Sequence, residues 1–442
     1  MRSVQPIGAF PFPAGLLLVP DSGDAAAGDA ASDPELAAAV AGLAAGRLPA
    51  RWPAALAAHG LAHAGEIEAA LAAVADGDGY AAYNRWVLDP GTADQAAVAA
   101  TLPPELLALV DVVRFTNGEL DEPPALGDGA ADVVAALVLA TQAAHRLPHA
   151  DPESAVALLK QGAARADATA PALAAILRGN AGTIAYEQLG DTDSAVAGLQ
   201  AALQGLADTH LLLNRAELHY QLGTIEHERA VAAGGALQGA MHHYYTTLQL
   251  ITADDAPYLW ASAQMNLSAA YLASPMTGAS DQLRMGIAIQ ALRAALQVFS
   301  RERYPAEWAT ATVNLAGALV YTPSVKQGDN LVEAVELYEQ VLEVRDRHSD
   351  PIGRARVLAS QGNALAHLGI FDQAKAKLHE ARFLFEEQLD HDAVLTVRSL
   401  LDEIVKQTTP EHGREGSGRL AMAGADGLRA GAAANPAEAQ DG

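Results

Sequence analysis

The sequence predicts an all-α fold, a solenoid of paired antiparallel helices, on three observations. An eleven-residue phrase occurs twice, 48 residues apart: Pro257-x-x-Trp260-Ala261-x-Ala263-x-x-Asn266-Leu267 and Pro305-x-x-Trp308-Ala309-x-Ala311-x-x-Asn314-Leu315. Internal periods of that size mark stacked helical repeats. Apolar residues between the copies recur at spacings of three and four, the helical period. Half of the residues are hydrophobic, largely alanine, and only 5% are aromatic, which suits closely packed helices around a thin core. In a solenoid each repeat touches its neighbours, so 442 residues extend one body instead of dividing into ordinary domains.

Each proline copy opens a helix, and proline is tolerated there because the first-turn N–H has no intrahelical partner. The nine-residue step from proline to a polar residue recurs at Pro171 and Asn180 and at Pro351 and Ser360, and Gly182-Thr183-Ile184 recurs as Gly223-Thr224-Ile225. Within the third copy Trp260, Ala263, Leu267 and Tyr271 share one side, against Ser262, Asn266, Ala269 and Ala273 on the other. The fourth sets Trp308, Ala311, Leu315 and Leu319 against Thr310, Asn314 and Gly317. One face carries bulk and the other permits close approach. Second helices are expected over Ser194–Ala207, Gly239–Ile251, Leu283–Phe299, Leu331–Val344 and Phe371–Phe385. Ala195, Ala240, Ala288, Ala334 and Ala374 are their equivalent small residues, where the two helices of a pair cross.

Two stretches carry a family resemblance. Gly362-x-x-Leu365-x-x-x-Gly369-x4-Ala374-x3-Leu378-x2-Ala381 and Tyr186-x3-Gly190-x4-Ala195-x3-Leu199-x2-Ala202 resemble the tetratricopeptide-repeat consensus. The proline–tryptophan copies look like the longer variant repeats of many bacterial multi-repeat proteins. The resemblance covers roughly residues 151–407 and implies a right-handed superhelical solenoid of about five helix pairs with a capping helix. The usual repeat is about 34 residues, so inter-helix insertions are expected at Ser274–Gln282 and Thr322–Asn330. Such proteins are scaffolds far more often than enzymes.

A formal charge of −25 argues against nucleic acid, which needs clustered Lys and Arg. It keeps the surface solvated, and would also draw a basic partner. Cysteine is absent, which excludes disulfides and thiol chemistry. Pro11 and Pro13 interrupt the apolar stretch from Ile7 to Val19, unlike a secretory signal. The longest apolar helix, Val133–Ala144, is too short to span a bilayer, so a cytoplasmic protein without membrane contact is expected.

Residues 1–32 read as an irregular arm in which Phe10-Pro11-Phe12 and Leu16–Val19 form a short strand or pack on the first helices. Helices follow at Pro34–Gly46, Pro53–His59, Gly65–Ala75 (which with Tyr80–Val87 forms a degenerate pair), Thr92–Ala100, Pro104–Arg114 and Ala130–Arg146. Residues 33–150 are either divergent capping repeats or a separate helical domain, with the joint at Asn117–Gly129. A last helix at Asp392–Lys406 covers the final repeat, and residues 408–442 lack the apolar content to fold.

No catalytic motif is present: no Gly-Lys phosphate loop, no His-Glu-x-x-His, no Gly-x-Ser-x-Gly and no Gly-x-Gly-x-x-Gly after a strand. No cofactor is expected. The second repeat carries His219, Glu226 and His227 on one helix and His242, His243, Tyr244 and Tyr245 on its partner. Imidazole with carboxylate suits zinc, iron or nickel, which makes His219, His227 and His242 weak metal candidates. Adjacent histidines point about 100° apart, so packing or hydrogen bonding also explains the group. Trp260 and Trp308 read as inter-helix core.

The resemblance implies that first helices line a concave groove for an extended peptide or a helix. Asn266 and Asn314 match the position where related repeats place an asparagine that grips a ligand backbone; an amide both donates and accepts, so it reads any peptide unit. Bonding to a neighbouring helix is the competing role. Asn363 is a third candidate, with Arg356 and His367 on its helix, and Met265, Ser262, Thr310, Val313 and Tyr321 as walls. Met265 and Val313 stand where a carboxylate clamp for a chaperone tail needs lysines. The expected function is a non-enzymatic scaffold binding a protein segment. An assembly factor for a multisubunit enzyme, a groove-sensing regulator and a metal-dependent protein on the repeat-two histidines are the alternatives.

Overall fold

The computed structural model describes residues 3–4, 17–19, 33–74, 79–92, 94–274, 281–322 and 326–409. Phe10–Phe12 and residues 410–442 lie outside them. Among the described residues the protein is all-α, with nineteen α-helices and one pair of two-residue strands. It divides into two compact units, Met1–Ile225 and Glu226–Gly442.

The first unit contains β1 (Ser3–Val4), β2 (Leu18–Val19), α1 (Pro34–Ala44), α2 (Ala57–His63), α3 (Ile67–Ala73), α4 (Gly79–Leu88), α5 (Gln95–Thr101), α6 (Ala108–Thr116), α7 (Asp132–Arg146), α8 (Pro152–Ala166), α9 (Pro171–Glu187), α10 (Thr192–Leu206) and the start of α11 (Leu212–Ala233). The second holds the end of α11, then α12 (Gln238–Leu250), α13 (Pro257–Ala273), α14 (Asp281–Val298), α15 (Pro305–Tyr321), α16 (Gln327–Leu342), α17 (Pro351–His367), α18 (Phe371–Glu387) and α19 (His391–Thr408). From α7 to α10 in the first unit and from α12 to α19 in the second, consecutive helices pack on one another, and short connections make neighbours antiparallel. The segment 117–129 lies inside the first unit, where the Gln142 side chain donates to the Pro124 carbonyl at 2.8 Å.

Helix starts follow the sequence chemistry. The Asp151 carboxylate accepts the Ser154 N–H ahead of Pro152, and Asp350 accepts the Gly353 N–H ahead of Pro351. Asp191 and Asp390 cap α10 and α19 in the same way, each worth about 0.5–2 kcal/mol. Gly190 and Gly369 take φ of 64° and 75°, a left-handed turn that glycine adopts without a Cβ clash. One helix lies beyond the expectation: α8, whose Asp151-Pro152 start carries the usual cap signature. Gly162 lets it close on α7 and α9, since a Cβ there would meet the Ala136 carbonyl oxygen at 3.2 Å and Leu177 at 3.1 Å. The expected insertions are shorter than read, because Gln282 and Asn330 are already helical.

One local arrangement recurs through both units. Eleven residues after the opening proline stand Gly182, Ser268, Ala316 and Gly362, all buried. The paired second helices bury Ala195, Leu199 and Ala202; Ala288, Leu292 and Ala295; Ala334, Tyr338 and Val341; Ala374, Leu378 and Ala381. A Cβ on Gly182 would meet the Ala195 carbonyl oxygen at 3.0 Å and Leu199 at 3.1 Å. On Gly362 it would meet Leu378 at 2.8 Å and the Ala374 carbonyl oxygen at 3.2 Å. These two crossings are superimposable in kind, although 180 residues separate them. Small residue against alanine brings the backbones together, and the leucine beside it fills the remaining volume.

Outside the core, arginines reach one repeat forward. Arg293 pairs with Glu333 at 3.0 Å, Arg301 with Glu343 at 3.0 Å and Arg347 with Glu387 at 3.1 Å. Arg301 also lies over Trp308, and Arg347 over Phe383. Exposed pairs contribute about 0–1 kcal/mol each; their spacing repeats the period and helps fix its register. Trp260 and Trp308 pack half-buried against the core of the second unit, as expected.

Gly362→Val should lower stability by about 1–3 kcal/mol through overpacking. Gly286, inside α14 with nothing within 4 Å of a built Cβ, supplies the opposite case. Gly286→Ala should raise stability by about 0.5–1 kcal/mol. Urea unfolding of both variants measures the difference.

Candidate functional site

Helices α13, α15 and α17 of the second unit open on prolines and share one register. Five, nine, twelve and sixteen residues after the proline, steps of four and three place side chains on one face. That face reads Ser262, Asn266, Ala269 and Ala273 on α13. It continues as Thr310, Asn314, Gly317 and Tyr321 on α15, and Arg356, Ser360, Asn363 and His367 on α17. The result is a strip of small and polar side chains across three successive first helices.

The strip is held in register by side-chain bonds. At one end the Tyr258 hydroxyl on α13 donates to Glu307 on α15 at 2.9 Å. At the other the Asn363 amide on α17 donates to the Tyr321 hydroxyl on α15 at 2.9 Å, and His367 stands edge-on to Tyr321 with ring centroids 6.5 Å apart. Ser360 bonds the Tyr338 hydroxyl of α16. Behind the strip the Gln361 amide donates to the Val335 carbonyl at 3.2 Å and to Glu339 at 2.7 Å, and Lys377 reaches Glu339 at 3.0 Å. Those two bonds, Gln361 first, hold the Glu339 carboxyl below its usual range.

The expected site residues do not share one environment. Asn266 and Asn314 are half-buried at matching positions on the strip, and the Asn314 amide has no hydrogen-bond partner among the described residues. Arg356 is exposed with no carboxylate in ion-pair range among the described residues. Thr310 is half-buried and its hydroxyl is used within its own helix, donating to the Ala306 carbonyl at 3.0 Å. Met265 and Ser262 are only 4% and 2% exposed. Met265 packs into the core, because its position, eight after the proline, turns toward the neighbouring helix. Val313, at the same position of α15, is half-buried against that core. Asn363 is buried and occupied by Tyr321, and it stands three residues beyond the register of Asn266 and Asn314, where Ser360 is the counterpart. Sequence reasoning missed Ser360 as a member of the strip, although its spacing from Pro351 was legible.

The repeat-two histidines make pairs. Glu226 lies 3.5 Å from His243, and His227 Nδ1 lies 3.4 Å from the Tyr244 hydroxyl. His242 is exposed, its ring 5.9 Å from that of His243. Burial lowers the pKa of His227 and His243. Glu226 covers Gly239, where a Cβ would strike its carboxylate. His219 belongs to the first unit and His227 and His242 to the second. Among the described residues no three metal-ligating side chains converge, since adjacent helical residues diverge by about 100°. Likewise no described helix is long and apolar enough to cross a membrane.

No protein-family model matches the chain, and no curated protein is significantly similar to it.

Burial also lowers the pKa of His367 below 6.5. As pH falls below that value the unfolded chain takes up the proton first, so the stability is complete above it and is lost on acidification toward the native value. His367→Gln should therefore show a smaller loss of melting temperature between pH 7 and 5 than the unmodified protein. Tyr321→Phe leaves the buried Asn363 amide without its acceptor and should cost about 1–3 kcal/mol in urea unfolding.

Proposed function

We propose that this chain is a non-enzymatic helical-repeat scaffold of tetratricopeptide type. It binds an extended protein segment along the strip formed by α13, α15 and α17. The observation that carries the reading is the Asn314 amide, presented on a face of small residues without a partner of its own among the described residues. An amide so placed both donates to and accepts from a peptide unit, whatever that unit's side chain. Asn266 stands one repeat earlier at the same height, and Arg356 one repeat later offers a guanidinium for a carboxylate.

Small residues around the amides matter as much as the amides. Ala269 leaves room for a backbone to approach, while Tyr321 and His367 close one end. The acidic surface, with a formal charge of −25, favours partners that carry net positive charge around the bound segment. An assembly factor holding an immature subunit would use the same strip.

Substituting both Asn266 and Asn314 by alanine should weaken capture of the native partner by at least tenfold. Helicity and melting temperature should be preserved, because neither residue fills the core. Affinity capture from cell extract, quantified against the unmodified chain, measures this; unchanged capture would remove the strip from the binding reaction.

A further inference from the structure

The first unit contains a second place where an asparagine reads an extended backbone, and there the backbone is present. Leu18 of β2 donates its N–H to the Asn84 side-chain oxygen at 2.8 Å, and the Asn84 amide donates back to the Leu18 carbonyl at 2.9 Å. His59 Nε2 lies 3.0 Å from the same carbonyl oxygen. A carbonyl only accepts, so that nitrogen carries the hydrogen. β1 pairs with β2 through Ser3 opposite Val19 and Val4 opposite Leu18. The side-chain amide thus takes the place of a strand on the remaining edge of β2. Leu17, Leu18 and Val19 are 1%, 1% and 2% exposed.

We propose that this seat, built by Asn84 on α4 and His59 on α2, is a binding site for an extended aliphatic segment, and that residues 17–19 fill it in cis. A partner chain bearing such a segment enters only by displacing them. The chemistry of the seat supports this. Asn84 and His59 are themselves buried, at 7% and 4% exposure, and buried polar groups are costly unless satisfied. A core built for packing alone would place apolar residues there. These two instead demand the N–H and C=O of a backbone, independent of its side chains, while the core in which Leu17, Leu18 and Val19 are buried favours apolar ones. Main-chain reading combined with apolar side-chain pockets is the general logic of extended-peptide recognition. The site lies in a different unit from the strip and stands or falls independently of it.

A labelled peptide with the sequence of residues 14–22 tests this on the full-length chain. A tethered occupant competes at an effective concentration on the order of millimolar, so the unmodified protein should bind the peptide only weakly. Leu18→Asp, which drives the arm from an apolar seat, should raise peptide affinity at least 100-fold. Adding Asn84→Leu to that variant, or methylating the peptide nitrogen of its central leucine, should remove at least tenfold. The proposal is overturned if Leu18→Asp binds no more tightly, or if binding ignores both changes. It is overturned equally if that variant loses cooperative melting, for the arm would then be an indispensable part of the core. Hydrogen exchange on the unmodified chain decides without any variant. The Leu18 amide should exchange at least 100-fold faster than the amides of Val134–Val138 in α7, through local release of the arm. Equal protection at both places contradicts release. Concentration-dependent dimerisation abolished by Asn84→Leu would put a second copy's arm in the seat and overturn the cis assignment.

Discussion

The close crossing of paired helices governs this protein. Gly182 and Gly362 sit so near the opposing backbone that a single Cβ would reach a carbonyl oxygen at 3.0 and 3.2 Å. Ser268 and Ala316 occupy the same position with small, buried side chains. Close approach explains how a chain with so few aromatic residues builds a core. Much of the packing comes from backbone and alanine, with one leucine or tyrosine per crossing to fill the gap. Deleting that filler is expensive: Leu378 is fully buried, and truncating such a residue to alanine typically costs about 2–5 kcal/mol.

That constraint also orders the outer surfaces. Once two helices cross at a fixed residue, every other position on the first helix has a fixed direction. The bulky positions turn toward neighbouring helices, and positions five, nine, twelve and sixteen after the proline form the strip. Tyr258–Glu307 and Tyr321–Asn363 join neighbouring first helices at opposite ends of it. The strip is therefore a by-product of the packing face, which holds the Asn314 amide without a hydrogen-bond partner among the described residues.

Much of this was legible in the sequence because it is periodic. The prolines, the alanines of the second helices and the paired Asn266 and Asn314 recur at similar steps, and the structure places each on the expected kind of element. Ser262 was misleading because its place on the strip does not reveal its burial, and Met265 because polarity and size do not reveal a rotation of one residue step around a helix. Asn363 was misleading for the same reason, three residues out of register. The seat at Asn84 was invisible: one asparagine inside Ala82-Tyr83-Asn84-Arg85-Trp86 has no period, and its partner Leu18 is 66 residues away. Helix α8 was overlooked although Asp151-Pro152 announced it, since it does not open on the repeated phrase.

Site-specific photocrosslinking tests the central functional claim most directly. A photoreactive side chain at position 314 lies on the strip, and one at position 336 lies exposed on α16. If an extended partner segment binds along the strip, irradiation in cells gives adducts from position 314, mapped by mass spectrometry to an unfolded stretch of one protein, and few from position 336. Adducts from position 336 alone, or equal yields from both, would contradict a binding face at Asn266 and Asn314.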